Sequence, residues 1–181
     1  LPNPPPHCFA SPTLMNNRVA LLMGSDSDFP RLESCVKTLR EFGVEPTVRV
    51  LSAHRTPTEA CAFASDARAN GLEVIICAAG GAAHLAGVIA AHTTLPVLGI
   101  PMDNPPLGGL DALLATVQMP GGVPVGTLGA NSGGPVNAAL LAIRILAVSD
   151  AELATQLDAF TLKQKDRVQQ KDAALQERLK A

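Results

Sequence analysis

A chain of 181 residues, 47% hydrophobic and 17% charged, suits one domain with a real core and is neither disordered nor fibrous. A formal charge of −2, no Trp, no Tyr and only five Phe argue against a nucleic-acid backbone or stacked bases as partner. The longest apolar runs are broken by Gly, Pro or His well short of membrane-spanning length, so no membrane partner is expected. A small anionic ligand remains open, because local donors bind a phosphate whatever the net charge.

Residues 1–17 hold five of the fifteen prolines and lack the charged start and apolar run of a secretory signal. Either Met15 is the natural start and the stretch before it is an addition, or this is a Pro-rich arm lying on a neighbouring subunit. From Arg18 onward, short apolar runs alternate with amphipathic stretches. Val19 to Met23, stopped by Gly24, has the pattern of a strand buried on both faces. Leu32, Val36, Leu39 and Phe42 recur at helical spacing up to Gly43. A strand over 47–51 and a helix from Pro57 to Asn70, closed by Gly71, follow. The remaining units are strand 74–77, helix 84–92, strand 96–100, helix 110–118, strand 123–128 and helix 137–147.

Repeated strand–helix units with short connections imply a parallel sheet with helices on both faces, an α/β domain over 18–149. Residues 150–181 differ, being charged and helix-favouring. Leu153, Leu157, Phe160 and Leu162 give this tail only a narrow apolar stripe, fading after Val168, and its first half is expected to pack on another subunit.

Cys8, Cys35, Cys61 and Cys77 form no CxxC pair, and reduced thiols in a cytoplasmic protein are expected. His7, His54, His84 and His92 lack HxH or HExxH spacing, so no metal site is expected.

In open parallel sheets, ligands sit beyond the carboxyl ends of the strands, and three polar clusters fall there. Gly24-Ser-Asp-Ser-Asp28 combines a turn, capping side chains and a helix start, which favours an anion or is simply an N-cap. Its two carboxylates would repel a phosphate, so at least one should face a sugar hydroxyl or solvent. Ser52-Ala-His-Arg-Thr-Pro57 sets an Arg between hydroxyls at a helix start, a candidate phosphate clamp. His54 in that turn is the best acid/base candidate, since imidazoles titrate near neutrality. The third, Ala78-Ala-Gly-Gly-Ala-Ala-His84, allows close approach to a ligand and presents consecutive N–H groups. It is not GxGxxG, and no acidic residue marks a dinucleotide ribose. His84 either contacts ligand or makes a structural hydrogen bond. Two later loops, 118–122 and 129–135, either close over a ligand or are ordinary turns.

Taken together, Met23-Gly-Ser-Asp-Ser-Asp28, Ser52-Ala-His-Arg-Thr-Pro57, Ala79-Gly-Gly-Ala-Ala-His-Leu85 and Val117-Gln-Met-Pro-Gly-Gly-Val-Pro-Val125 closely resemble the carboxyaminoimidazole ribonucleotide mutases, the PurE family. The resemblance runs over roughly 18–160 in unbroken motif order. It implies a three-layer αβα, flavodoxin-like domain with a five-stranded parallel sheet and an extra C-terminal helix. It also implies conversion of N5-carboxyaminoimidazole ribonucleotide to 4-carboxy-5-aminoimidazole ribonucleotide in de novo purine biosynthesis, with no metal or organic cofactor, in a cytoplasmic homooctamer.

By motif match, His54 would be the catalytic acid/base. Ser25, Asp28, Ser52, Arg55, the backbone at Gly80, Gly81 and Ala82, and His84 would bind the ribonucleotide. Arg55 resembles the mutase branch; a sister branch that takes up carbon dioxide directly typically has Lys there. Asn131-Ser-Gly-Gly-Pro135 and Asp103-Asn-Pro-Pro106 depart from the usual family pattern. The rival readings are an aminoimidazole ribonucleotide carboxylase, which shares every motif, and a non-catalytic flavodoxin-like nucleotide binder.

Overall fold

The computed structural model describes residues 17–180. The Pro-rich stretch, with the question of its origin, lies outside them, as do His7 and Cys8. The elements in chain order are β1 (Val19–Met23), α1 (Phe29–Glu41), β2 (Thr47–Val50), α2 (Pro57–Asp66), β3 (Val74–Gly80) and α3 (Leu85–Ala91). They continue with β4 (Val97–Met102), α4 (Leu110–Val117), β5 (Gly126–Thr127), α5 (Gly134–Ala147) and α6 (Ala151–Lys180). The five strands form one parallel sheet in the order β2-β1-β3-β4-β5, the flavodoxin-like arrangement whose switch point lies between β1 and β3.

Alternation along the strands divides the core in two. Leu21, Ile76, Leu98 and Ile100 face α1 and α5, where Leu32, Leu39 and Ile143 meet them. Leu22, Ile75, Cys77 and Val97 face the other way, onto α2 and α3 through Ala60, Ala64, Ala86 and Ile89. The central strands β1 and β4 are buried along their whole length, which explains their uninterrupted apolar sequence. Each large side chain fully covered contributes about 1.5–3 kcal/mol.

Several boundaries differ from the sequence expectation for identifiable reasons. β3 and β4 run on to Gly80 and Met102, since register with a neighbouring strand continues past their apolar segments. β5 shrinks to two residues, because Pro124 lacks the N–H that a longer ladder would need. α5 starts at Gly134, three residues early, with Pro135 in its first turn, where a missing N–H costs nothing. The regular part of α2 ends at Asp66, and the next residues turn towards Gly71.

The tail finds part of its cover within the chain. Leu153 is buried, and Leu157 and Phe160 pack, against the chain's own α1–α5 core; the Phe160 ring lies 5.8 Å from that of Phe42. Beyond Phe160, Leu162, Val168 and Leu179 are exposed. Arg18 anchors the start of α6, donating to Asp150 at 2.6 Å and to Glu73 at 2.6 Å. Asp150 also accepts the Leu153 N–H at 3.2 Å, as an N-cap does.

The Leu153 N–H first, and Arg18 beside it, hold the Asp150 carboxyl below its ordinary value. A lowered folded-state value means stability that is present above the unfolded carboxylate range and lost as pH falls through the folded value. Asp150→Ala is therefore expected to lower the Tm at neutral pH, with wild type and variant converging below about pH 4 in thermal melts.

Candidate active site

The carboxyl ends of β1, β2 and β3 open into one cavity of about 210 Å³. Its lining includes Ser25, Asp28, Ser52, His54, Arg55, Gly80, Ala82 and His84, which bring three sequence clusters together from positions far apart in the chain. Gly81 is not in the lining; with φ +62° it makes the turn between Gly80 and Ala82. The loops at 118–122 and 129–135 contribute nothing to the lining either. Met119 packs instead against Gly87 on α3, and Asn131 and Ser132 line a separate cavity with Arg31 and Asp103.

In the first cluster, a single 3-10 turn over Asp26–Asp28 leads into α1. Ser25 Oγ accepts the Ser27 N–H at 3.3 Å and lies 2.8 Å from Ser27 Oγ, so two hydroxyls stand together at the rim. Asp26 is exposed and outside the cavity, whereas Asp28 is buried within it. Burial raises the Asp28 carboxyl above its ordinary value, and the Arg31 guanidinium at 3.0 Å pulls the other way.

The second cluster is stitched by Ser52. Its hydroxyl accepts the N–H groups of His54 at 3.3 Å and Arg55 at 3.2 Å, and its carbonyl accepts from Thr56 Oγ1 at 3.2 Å. The turn thereby fixes the next two side chains. Arg55 donates one N–H to the Gly24 carbonyl at 2.7 Å, which ties the β2 loop to the β1 loop and leaves the rest of the fork at the cavity.

His54 Nε2 lies 2.8 Å from His84 Nδ1, with the rings edge to face at 76°. One of these nitrogens donates and the other accepts, so the pair shares one N–H along that line. The His54 ring thus has an oriented partner across the β2 and β3 loops. Among the described residues, no three His, Cys, Asp or Glu side chains gather as a metal site would require. The free thiols lie elsewhere: Cys35 and Cys77 are in the core, and burial pushes Cys35 up to about 12. Neither is poised as a nucleophile.

Sequence reasoning missed Asn104 as a lining residue and named Ser27 only within the first cluster. Asn104 follows β4, the one long strand end to which no ligand cluster was given. The departure at Asp103-Asn104 was visible, and its place beyond a central strand was the available signal.

Comparison with known proteins gives one consistent answer. A family model described as AIR carboxylase matches residues 18–167. The chain is 50% identical over 159 residues to an N5-carboxyaminoimidazole ribonucleotide mutase of Mycobacterium tuberculosis, covering 88% of this chain and 90% of that one. It is 49% identical over 154 residues to one of Brucella melitensis, covering 85% and 95%. A crystal structure of Treponema denticola PurE superposes with a TM-score of 0.76 at 28% identity, covering 87% of this chain and 97% of that one. The chain belongs to the AIR carboxylase family.

Proposed function

We propose that the protein converts N5-carboxyaminoimidazole ribonucleotide to 4-carboxy-5-aminoimidazole ribonucleotide, a step of de novo purine biosynthesis, with His54 as acid and base. The observation that carries the reading is the pairing of His54 with His84 inside a small cavity rimmed by Ser25, Ser52 and Arg55. Mutases at about half identity over most of the chain support the same substrate.

The chemistry balances with one proton carrier. His54 gives its proton to the carbamate nitrogen, the bond from that nitrogen to the carboxyl carbon breaks, and its electron pair stays on nitrogen. Carbon dioxide and a neutral amine result. The electron-rich ring carbon attacks the trapped gas, forming the new carbon–carbon bond. His54 then takes the proton from that ring carbon, which restores aromaticity and returns the imidazole to its starting state. The scheme calls for no cofactor. It does require that carbon dioxide stay beside the ring, and the small Gly and Ala side chains of the β3 loop suit a close-fitting wall.

Ser25, Asp28, Ser52 and Arg55 serve binding in this reading, with His84 orienting His54. Arg55→Ala is expected to weaken binding of the product nucleotide by about 2 kcal/mol, the worth of a charge-assisted phosphate contact, and calorimetry measures it. Direct carboxylation of the decarboxylated nucleotide is the second reading, since it uses the same residues. Assaying each nucleotide with and without bicarbonate separates the two. Turnover of the carboxyamino nucleotide without bicarbonate supports the first; turnover of the decarboxylated nucleotide only, dependent on bicarbonate, overturns it.

A closed symmetric homo-oligomer, an octamer, in the cytoplasm completes the proposal. The outer face of α4 exposes Leu110, Leu114 and Val117 at helical spacing, and the edge strand β2 exposes Val48 and Val50. Such surfaces favour subunit contacts. Since the described residues after Phe160 are exposed, deleting 162–181 tests the tail alone. The expected result is a smaller particle with lower activity in light scattering and assay; a fully active monomer, with or without the tail, would count against assembly.

A further inference from the structure

Arg31 stands just outside the cavity and holds three groups at once. Its Nη2 donates to Asp28 Oδ1 at 3.0 Å and to Asn104 Oδ1 at 2.8 Å, and its Nη1 donates to Asp103 Oδ1 at 2.7 Å. A guanidinium has donors only, so whichever amide atom of Asn104 faces it must be the oxygen. The amide nitrogen is thereby turned the other way. It lies over Gly80, where an added Cβ would fall on it, and Asn104 lines the same cavity as His54 and Ser25. Among the described residues this nitrogen has no hydrogen-bond acceptor, although every neighbouring polar side chain of the network has a partner. Two donor N–H groups unused among the described residues thus lie beside Gly80, in the wall of the pocket, held by an ion-pair network that spans α1 and the β4 loop.

We propose that Asn104 is a further substrate-binding residue, donating to an oxygen of the bound ribonucleotide, and that Arg31 is the positioning residue that sets its amide. The proposal rests on the ribonucleotide reading and adds a fourth strand end to the site. It gives the Asp103-Asn104 departure a job: Asp103 and Asn104 together hold the Arg31 fork, and Arg31 returns the favour by fixing which face of the amide meets the ligand. A purely structural role for the network would stabilise the loop and leave affinity untouched.

The two roles are separable by Asn104→Asp. That change keeps an oxygen for Arg31, indeed a charged one, but replaces the inward donor by an acceptor. The Tm is expected to hold or rise, while affinity for 4-carboxy-5-aminoimidazole ribonucleotide, measured by calorimetry, falls about tenfold or more. Asn104→Ala should lose roughly fivefold. Arg31→Met, which keeps the stem but frees the amide, should lose affinity similarly, with Arg31→Lys recovering part of it. Unchanged affinity in Asn104→Asp, with the fold intact, overturns the proposal. Wild-type binding without turnover would defeat the mutase reading while the variants still decide the role of Asn104. No binding by the wild type would defeat both.

Discussion

Replacing His54 by Asn is expected to reduce turnover by about 10³-fold or more while product-nucleotide affinity stays within about tenfold. The asymmetry follows from the role proposed for His54. It sits in a turn whose backbone is held by the Ser52 hydroxyl, and its ring meets His84 at 2.8 Å. An Asn side chain can still hydrogen-bond in that space, so the cavity keeps its shape. It cannot carry a proton, and in the proposed scheme one side chain makes both transfers. General acid–base catalysis contributes typically 10²–10⁴-fold, and in the proposed scheme His84 orients His54 and transfers no proton to the substrate. Steady-state assays and calorimetry on the same preparation measure the two effects together. Retention of most activity by the variant would remove His54 from the chemistry.

The second large effect concerns stability. Gly134→Ala is expected to cost about 3 kcal/mol and to lower the Tm by roughly 6–12 °C. Gly134 opens α5, its N–H bonded to the Asn131 carbonyl at 2.9 Å. A methyl group there would fall on the Gly129 carbonyl oxygen and lie 3.1 Å from the Gly129 carbonyl carbon. The obstacle is backbone, which no rotamer change can clear. Either the 129–133 loop or the start of α5 must move, and α5 carries Ala138, Ala142, Ile143 and Leu146 into the core. Packed interiors transmit such shifts. Thermal melts of the two proteins measure the effect, and an unchanged Tm would mean that the loop relaxes freely.

The sheet was legible in the sequence because each central strand is buried on both faces, leaving runs such as Val19 to Met23 with no polar interruption. The helices were legible at their apolar stripes and less so at their ends. Asn131-Ser-Gly-Gly reads as a loop, yet Gly134 and Pro135 already belong to α5, because helix starts tolerate both residues. The stripe at Leu153, Leu157 and Phe160 was visible, but periodicity gives the width of a face and not what covers it. Phe42, more than a hundred residues earlier, proved to be part of the cover.

The site was legible where a motif and a strand end coincide, as at Ser25, Ser52 and His54. Two features arise only on folding. One is the contact between His54 and His84, which joins loops from different strands. The other is the Arg31 network: Arg31 looks like a solvated residue on the first turn of a helix, and only folding brings Asp28, Asp103 and Asn104 to its fork.

The most direct test of the account follows the migrating carboxyl group. N5-carboxyaminoimidazole ribonucleotide bearing an isotopically labelled carboxyl is given to the enzyme in unlabelled bicarbonate, and the 4-carboxy product is analysed by mass spectrometry during the first turnovers. Transfer through trapped carbon dioxide predicts a product that keeps most of the label and forms at the same rate whether or not bicarbonate is present. A product that carries the unlabelled solution carboxyl, at a rate rising with bicarbonate, would contradict it.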